Sequence, residues 1–164
     1  MSQRYLIALG SNRRHQRFGP PERVLAAALA ALDRKGLKLV ASGPVVRSAP
    51  LGPSRRRYAN SAAVVTSKLD PPAMLARLKH IETRFGRRRG GQRWAARVLD
   101  LDIVLWSGGM WVGPDLLIPH PQFRQRAFVL SPALAVAARW RDPVTGLTLR
   151  HLNARLQRAS SRGA

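Results

Sequence analysis

Two carboxylates set two residues apart, Asp100 and Asp102, stand inside the run Val98-Leu99-Asp100-Leu101-Asp102-Ile103-Val104-Leu105-Trp106, whose other members are β-branched or large and apolar. Such a run predicts a buried strand. Side chains alternate across a strand, so both aspartates share one face, their backbones roughly 7 Å apart, while Leu99, Leu101 and Ile103 take the other. Two anions on an apolar strand repel each other and lose hydration, which nearby cations must offset. Arg84, Arg87, Arg88, Arg89, Arg93 and Arg97 precede the strand, with Gly86, Gly90 and Gly91 among them. One reading is an Asp pair salt-bridged to these arginines for structure alone. The favoured reading is a divalent-metal site, since an arginine loop facing acids alone needs neither the glycines nor so many charges. Hard carboxylate oxygens would hold Mg²⁺, and the arginines would hold the phosphates that the metal bridges. There is no GxxxxGK[ST] loop, so phosphate holding falls to side chains and metal rather than to a glycine cradle.

The elements that must position this strand follow from periodicity and punctuation. Residues 4–9 form a short apolar strand ended by Gly10-Ser11-Asn12, and residues 13–21 a basic loop. Leu25, Leu29 and Leu32 stripe a helix over residues 22–35, stopped by Gly36. Residues 37–48 are extended, with a bulge or kink at Gly43-Pro44. Two prolines and a glycine make 49–54 a loop, continued by Arg55-Arg56-Arg57, before a strand over 58–67. Asp70 caps a helix opened by Pro71 and Pro72, with Met74, Leu78, Ile81 and Phe85 as its buried stripe. The order strand, helix, strand, strand, helix, strand is a ferredoxin-like βαββαβ arrangement of the α+β class. In it helices cover one face of an antiparallel sheet and loops on the other side are free for ligands. C-terminal strand and helix additions follow: short strands around Trp111-Val112 and Leu117-Ile118, then Pro119-His120-Pro121, and helices over 128–138 and 149–157. The whole chain, 1–164, reads as one domain with residues 158–164 as a frayed tail.

The formal net charge is +21, and of 29 basic residues only Lys35, Lys38, Lys68 and Lys79 are lysine. Such a balance attracts polyanions: nucleic acid, anionic membrane or a phosphorylated small molecule. The arginines are spread along the chain, so a compositional habit is one reading of part of the excess, and binding of polyanions is the other. With no cysteine there are no disulfides, no thiol catalysis and no thiolate metal site. No apolar run approaches a signal-peptide core or a membrane span. A cytoplasmic monomer without membrane association is the expectation.

Four motifs resemble those of the 6-hydroxymethyl-7,8-dihydropterin pyrophosphokinases of folate biosynthesis. They are Ala8-Leu9-Gly10-Ser11-Asn12; Pro50-Leu51-Gly52-Pro53 with Tyr58-Ala59-Asn60; Arg97-Val98-Leu99-Asp100-Leu101-Asp102; and Pro119-His120-Pro121 with Arg126-Ala127-Phe128. They span nearly the whole chain in family order. The resemblance implies ATP as co-substrate, two Mg²⁺ ions, and transfer of pyrophosphate to the pterin hydroxymethyl group with release of AMP. It implies Asp100 and Asp102 as metal ligands, Arg87 and Arg97 as catalytic, phosphate-binding arginines supported by Arg89 and Arg93, and His120, Arg126 and, more weakly, Glu82 as further ATP contacts. On the pterin it implies Asn60 at the pyrimidine edge, Tyr58 and Phe128 as aromatic walls, the backbone around Ser48 and Leu51, and Trp94 as a lid.

The chain departs from the family pattern at Ala95-Ala96, where Gly-Pro is usual, and at Val98, where threonine is usual. The altered pair changes loop freedom in two opposed ways, because glycine is permissive and proline restrictive. It leaves open a paralogue acting on another pterin. A basic ferredoxin-like nucleic-acid-binding module is the other alternative. Residues 62–66 and 98–104 lack the aromatics that would stack bases, so nucleic acid is expected only as a non-specific electrostatic partner.

Overall fold

The computed structural model describes residues 1–48, 57–86 and 98–164. Strands β1 (Gln3–Ser11), β2 (Leu37–Ser42), β3 (Val46–Ser48), β4 (Tyr58–Ser67) and β5 (Asp100–Trp106) form one antiparallel sheet in the order β2-β4-β1-β5. Strand β3 pairs with the far end of β4, so β2 and β3 act as a single strand bent between residues 42 and 46. With helices α1 (Pro21–Ala31) and α2 (Pro71–Arg84) between them, this is the ferredoxin-like α+β arrangement.

Alternation along the strands sorts side chains onto two faces. Tyr5, Ile7 and Leu9 of β1, Ala63 and Val65 of β4, and Leu101 and Ile103 of β5 pack under Val24, Leu25 and Ala28 of α1 and Met74, Leu78 and Ile81 of α2. The second face also has a core: Leu6, Ala62, Val64, Val104 and Leu105 lie under Val129, Leu130 and Ala133 of α3 (Ala127–Ala137) and Leu149 and Leu152 of α4 (Leu149–Arg162). The two helices of the βαββαβ core thus cover one face, as expected, and it is the C-terminal additions that reach the other. The C-terminal additions cover one half of the second face and leave the other half to the site. A register shift opposite Leu6 and Ile7 makes a bulge at Val104, which is why two successive residues, Val104 and Leu105, reach the same core. Strands β6 (Trp111–Val112) and β7 (Leu117–Ile118) form a separate two-stranded ribbon.

Other boundaries move for physical reasons. Helix α1 ends at Ala31 rather than at residue 35, with Leu32 as its cap, and Lys35 and Gly36 then take left-handed backbone angles, φ 53° and 86°, that reverse the chain into β2. Strand β1 runs on to Ser11 instead of turning at Gly10, because β4 and β5 both pair with Gly10. Helix α4 continues to Arg162, where fraying was expected after residue 157. Helix α2 starts where expected, with the Asp70 carboxylate accepting the Ala73 N–H at 3.0 Å.

Helix α3 is seated by a close approach at the bend between β2 and β3. A Cβ on Gly43 would lie 2.4 Å from the carbonyl oxygen of Pro132. Around it the Gly43 N–H donates to the Ala62 carbonyl at 2.8 Å, and the Ser61 hydroxyl donates to the Gly43 carbonyl at 3.0 Å.

Candidate active site

The open half of the second face carries many of the residues singled out for chemistry in the sequence. Gly10 pairs with Asn60 on one side and Asp100 on the other, and Ala8 in the same way with Ala62 and Asp102. Neighbouring strands lie about 4.8 Å apart, so Asn60 and Asp100 face the same space across a floor of small residues. That floor must stay low: a Cβ on Gly10 would come 3.3 Å from Asn60 Oδ1. Asn60 is buried, and its amide nitrogen donates to the Ser48 hydroxyl at 2.8 Å. Ser48 in turn is the register partner of Tyr58.

Above this floor is a cleft of about 380 Å³. Its walls bring together Ser48, Tyr58, Asn60, Glu82, Asp100, Asp102, Arg126 and Phe128, eight of the residues singled out in the sequence. Arg126 lies over the Phe128 ring, 5.7 Å from its centroid, and donates to the Gln122 side chain. Leu51, Arg87, Arg89, Arg93, Trp94 and Arg97 lie outside the described residues. Leu75, Lys79 and Asp115 line the cleft without having been anticipated. Leu75, Lys79 and Glu82 recur at i, i+4 and i+7 on α2, so the helical period offered a signal for two of them once Glu82 was suspected. Asp115 comes from the turn between β6 and β7, which only tertiary structure brings here.

Two anticipated nucleotide contacts have defined structural partners. Glu82 is buried, and its carboxylate accepts the Leu101 N–H, between the two aspartates, at 3.1 Å. His120 is not among the residues lining the cleft; it runs along the outer side of β5, its backbone N–H donating to the Val104 carbonyl at 3.0 Å. The bulge turns that carbonyl outward. His120 Nδ1 accepts the Gln122 N–H at 3.1 Å, so the neutral ring carries its proton on Nε2. Burial pushes the imidazole below its usual pKa, Asp102 pulls it up, and Arg126 presses it down, for a net lowering.

The turn that delivers Arg126 and Phe128 is clamped from below. Arg124 meets the fully buried Asp142 through two hydrogen bonds, of 2.6 and 2.8 Å. Burial alone would raise the Asp142 pKa; the bonds from Arg124, from the Thr145 hydroxyl and from the Val144 N–H outweigh it and hold the carboxyl down at about 2.

Acids are the scarce residues of this chain, eight against 29 cations, and their placement is uneven. Glu82, Asp100, Asp102 and Asp115 all line the cleft. The other four serve the scaffold: Glu22 pairs with Arg47, Asp33 accepts the Leu39 N–H, Asp70 caps α2 and Asp142 holds Arg124. Oxygen donors gathered on a half-open floor suit a hard divalent cation. Among the described residues no three His, Cys, Asp or Glu side chains assemble into a complete ligand set.

No helix among the described residues is long and apolar enough to cross a membrane. Among solved structures, the chain is similar to Plasmodium falciparum HPPK-DHPS wild type with STZ-DHP, with a TM-score of 0.76 at 12% identity over 99% of this chain. It is also similar to an HPPK-DHPS in complex with substrates, with a TM-score of 0.74 at 12% identity. It spans 45% of each of those longer chains, and at such identity the likeness concerns the fold. Sequence relatives are nearer. The chain is 39% identical over 145 residues to the 2-amino-4-hydroxy-6-hydroxymethyldihydropteridine pyrophosphokinase of Pseudomonas aeruginosa, covering 87% of this chain and 86% of the relative. It is 37% identical over 134 residues to that of Haemophilus influenzae, covering 80% of each. To that of Synechocystis sp. it is 34% identical over 145 residues, covering 88% of this chain and 71% of the relative. The model of one family matches residues 6–138, a stretch that contains every wall of the cleft; the chain belongs to the 7,8-dihydro-6-hydroxymethylpterin-pyrophosphokinase family.

Proposed function

We propose that the chain transfers the terminal pyrophosphoryl group of ATP to the hydroxymethyl group of 6-hydroxymethyl-7,8-dihydropterin, releasing AMP, as a step of folate biosynthesis. The observation that carries this reading is the single cleft that joins an amide-and-aromatic corner, Asn60 with Tyr58 and Phe128, to a carboxylate pair, Asp100 with Asp102. A pterin presents hydrogen-bond donors and acceptors along one edge, and a buried amide can answer both. Flat aromatic walls suit a flat ring. The low floor at Gly10 and Ala8 lets the heterocycle lie close to the strands with its hydroxymethyl arm toward the aspartates.

In this reading Asp100 and Asp102 hold two Mg²⁺ ions, whose chemistry would be to neutralise phosphate charge and lower the pKa of a bound hydroxyl. Transfer of a pyrophosphoryl group needs its attacking and leaving oxygens held in line and the developing charge matched. Arg126, at the rim, is proposed to hold phosphate oxygens, and Arg87 and Arg97, with Arg89 and Arg93, to neutralise the transferred group. Lys79 and Glu82 on α2 are proposed to face the nucleotide, His120 to support it from the strand edge, and Trp94 and the backbone at Leu51 to close over the pterin. The absence of cysteine is consistent with a cytoplasmic setting.

The test is to incubate the protein with ATP, Mg²⁺ and 6-hydroxymethyl-7,8-dihydropterin and to identify the products by mass spectrometry. AMP and the pterin diphosphate in equal amounts are expected. ADP as the nucleotide product, or no pterin-dependent consumption of ATP, would overturn the assignment.

A further inference from the structure

Helix α4 lies beyond the stretch matched by the family model, which ends at residue 138, and its composition sets it apart. From Leu116 to the end of the chain there are eight arginines, at 124, 126, 139, 141, 150, 155, 158 and 162, and one acid, Asp142, which is buried against Arg124. Neither α3, nor α4, nor the turn at Phe123–Gln125 contains an acidic residue. Helix α4 buries Leu149, Leu152 and Asn153 against the second-face core. Arg155, Arg158 and Arg162 are exposed. At 3.6 residues per turn these three fall within about 60° of one another, on the side away from the buried residues, along about 10 Å of helix.

Like charges three and four residues apart weaken a helix, and no carboxylate on α4 or on the elements packed against it relieves them. We infer that the Arg155-Arg158-Arg162 stripe of α4 is a docking surface for the phosphodiester backbone of a nucleic-acid duplex. Two observations favour this partner over an anionic membrane or a single strand. The apolar residues of α4 are committed to the core, so the helix has no apolar face left to insert among lipids. Among the described residues no aromatic side chain is large and exposed, so none of them offers bases a stacking surface beside the stripe. Contact with backbone phosphates through guanidinium forks alone fits a duplex and carries no sequence preference.

The test is fluorescence anisotropy of a labelled short RNA duplex, titrated with the full chain at several salt concentrations. Binding is expected to weaken steeply with salt. The variant Arg155→Gln/Arg158→Gln/Arg162→Gln should bind at least about tenfold more weakly near physiological salt, with the slope of log K against log salt shallower by about three, one for each phosphate that the variant no longer neutralises. A charge-matched control, Arg23→Gln/Arg34→Gln/Lys38→Gln, removes three exposed cations elsewhere and should keep both affinity and slope close to those of the parent. Equal weakening in the two variants would mean that net charge alone drives binding and would overturn the assignment to α4. So would stronger α4-dependent binding to phosphatidylserine-containing vesicles than to the duplex, or no binding of the duplex by the parent. Pyrophosphoryl transfer should be the same in all three proteins, which separates this inference from the proposed activity.

Discussion

The second face of the sheet is built from the same strands throughout, yet its two halves do opposite things. Toward one end Leu6, Val64, Val104 and Leu105 disappear beneath α3 and α4. Toward the other, Gly10, Asn60 and Asp100 form a floor with no helix among the described residues seated on it. Residues of the first half are large and apolar; those of the second are small or carry the polar groups. The change occurs within a few residues of each strand, at the row Ala62-Ala8-Asp102, where α3 begins and Phe128 and Val129 line the cleft while Leu130 enters the core. Where the cover stops, the strands no longer need apolar side chains, and chemistry can be written on the exposed positions without disturbing the first face.

The sharpest way to test that division is Asp100→Ala/Asp102→Ala. Removing both carboxylates should lower the rate of AMP formation by at least about a thousandfold, which corresponds to about 4 kcal/mol of transition-state free energy. The thermal midpoint should change little, because both positions lie on the cleft floor rather than in either apolar core. A variant that lost stability instead would move the pair from the site to the scaffold. On the covered half the reverse is expected. Leu130→Ala, at a fully buried position, should cost about 3 kcal/mol in urea unfolding, with kcat/KM close to the parent once the protein is folded.

A smaller effect separates cover from site by pH. The Asp142 carboxyl is held at about 2, below its ordinary 3.8. A depressed folded-state pKa contributes stability above the unfolded value that is lost as pH falls through the folded one. The parent should therefore lose about 2 kcal/mol from this group between roughly pH 4 and pH 2. Asp142→Asn, weaker at neutral pH, should lack that increment, and unfolding curves across this range would show the difference. Least of all, Gly43→Ala must move the backbone of α3 away from the bend, because its Cβ meets the Pro132 carbonyl. The expected cost is about 1–2 kcal/mol. Because α3 carries Phe128, the KM for the pterin should rise more than the KM for ATP, and steady-state kinetics with each substrate varied would check this.

Much of this organisation is legible in the sequence where local chemistry decides. Strand β4 and the start of α2 sit where alternation and the Asp70-Pro71-Pro72 signal place them. The shared face of Asp100 and Asp102 follows from a period of two. What could not be read is what depends on partners far along the chain. Gly10 looks like a turn residue until two strands are known to pair with it. The covering of the second face depends on where α3 lands, which no local pattern specifies. Lys79 and Asp115 reach the cleft through the approach of a helix and a ribbon to the same edge, whereas Lys79 alone reads as an ordinary surface lysine. Helix α4 outruns its apolar stripe because Arg and Ser tolerate helix well enough without burial.

The bonds made by Glu82 and His120 along β5 have a consequence for the protein in a crowded solution. β5 ends the sheet, and an end strand offers unpaired N–H and carbonyl groups to any extended chain that drifts alongside. Here the Leu101 N–H is taken by the Glu82 carboxylate and the Val104 carbonyl by the His120 N–H. The outer margin of the carboxylate strand is thereby fenced against strand addition, so Glu82 and His120 also guard the molecule against self-association into fibrous aggregates.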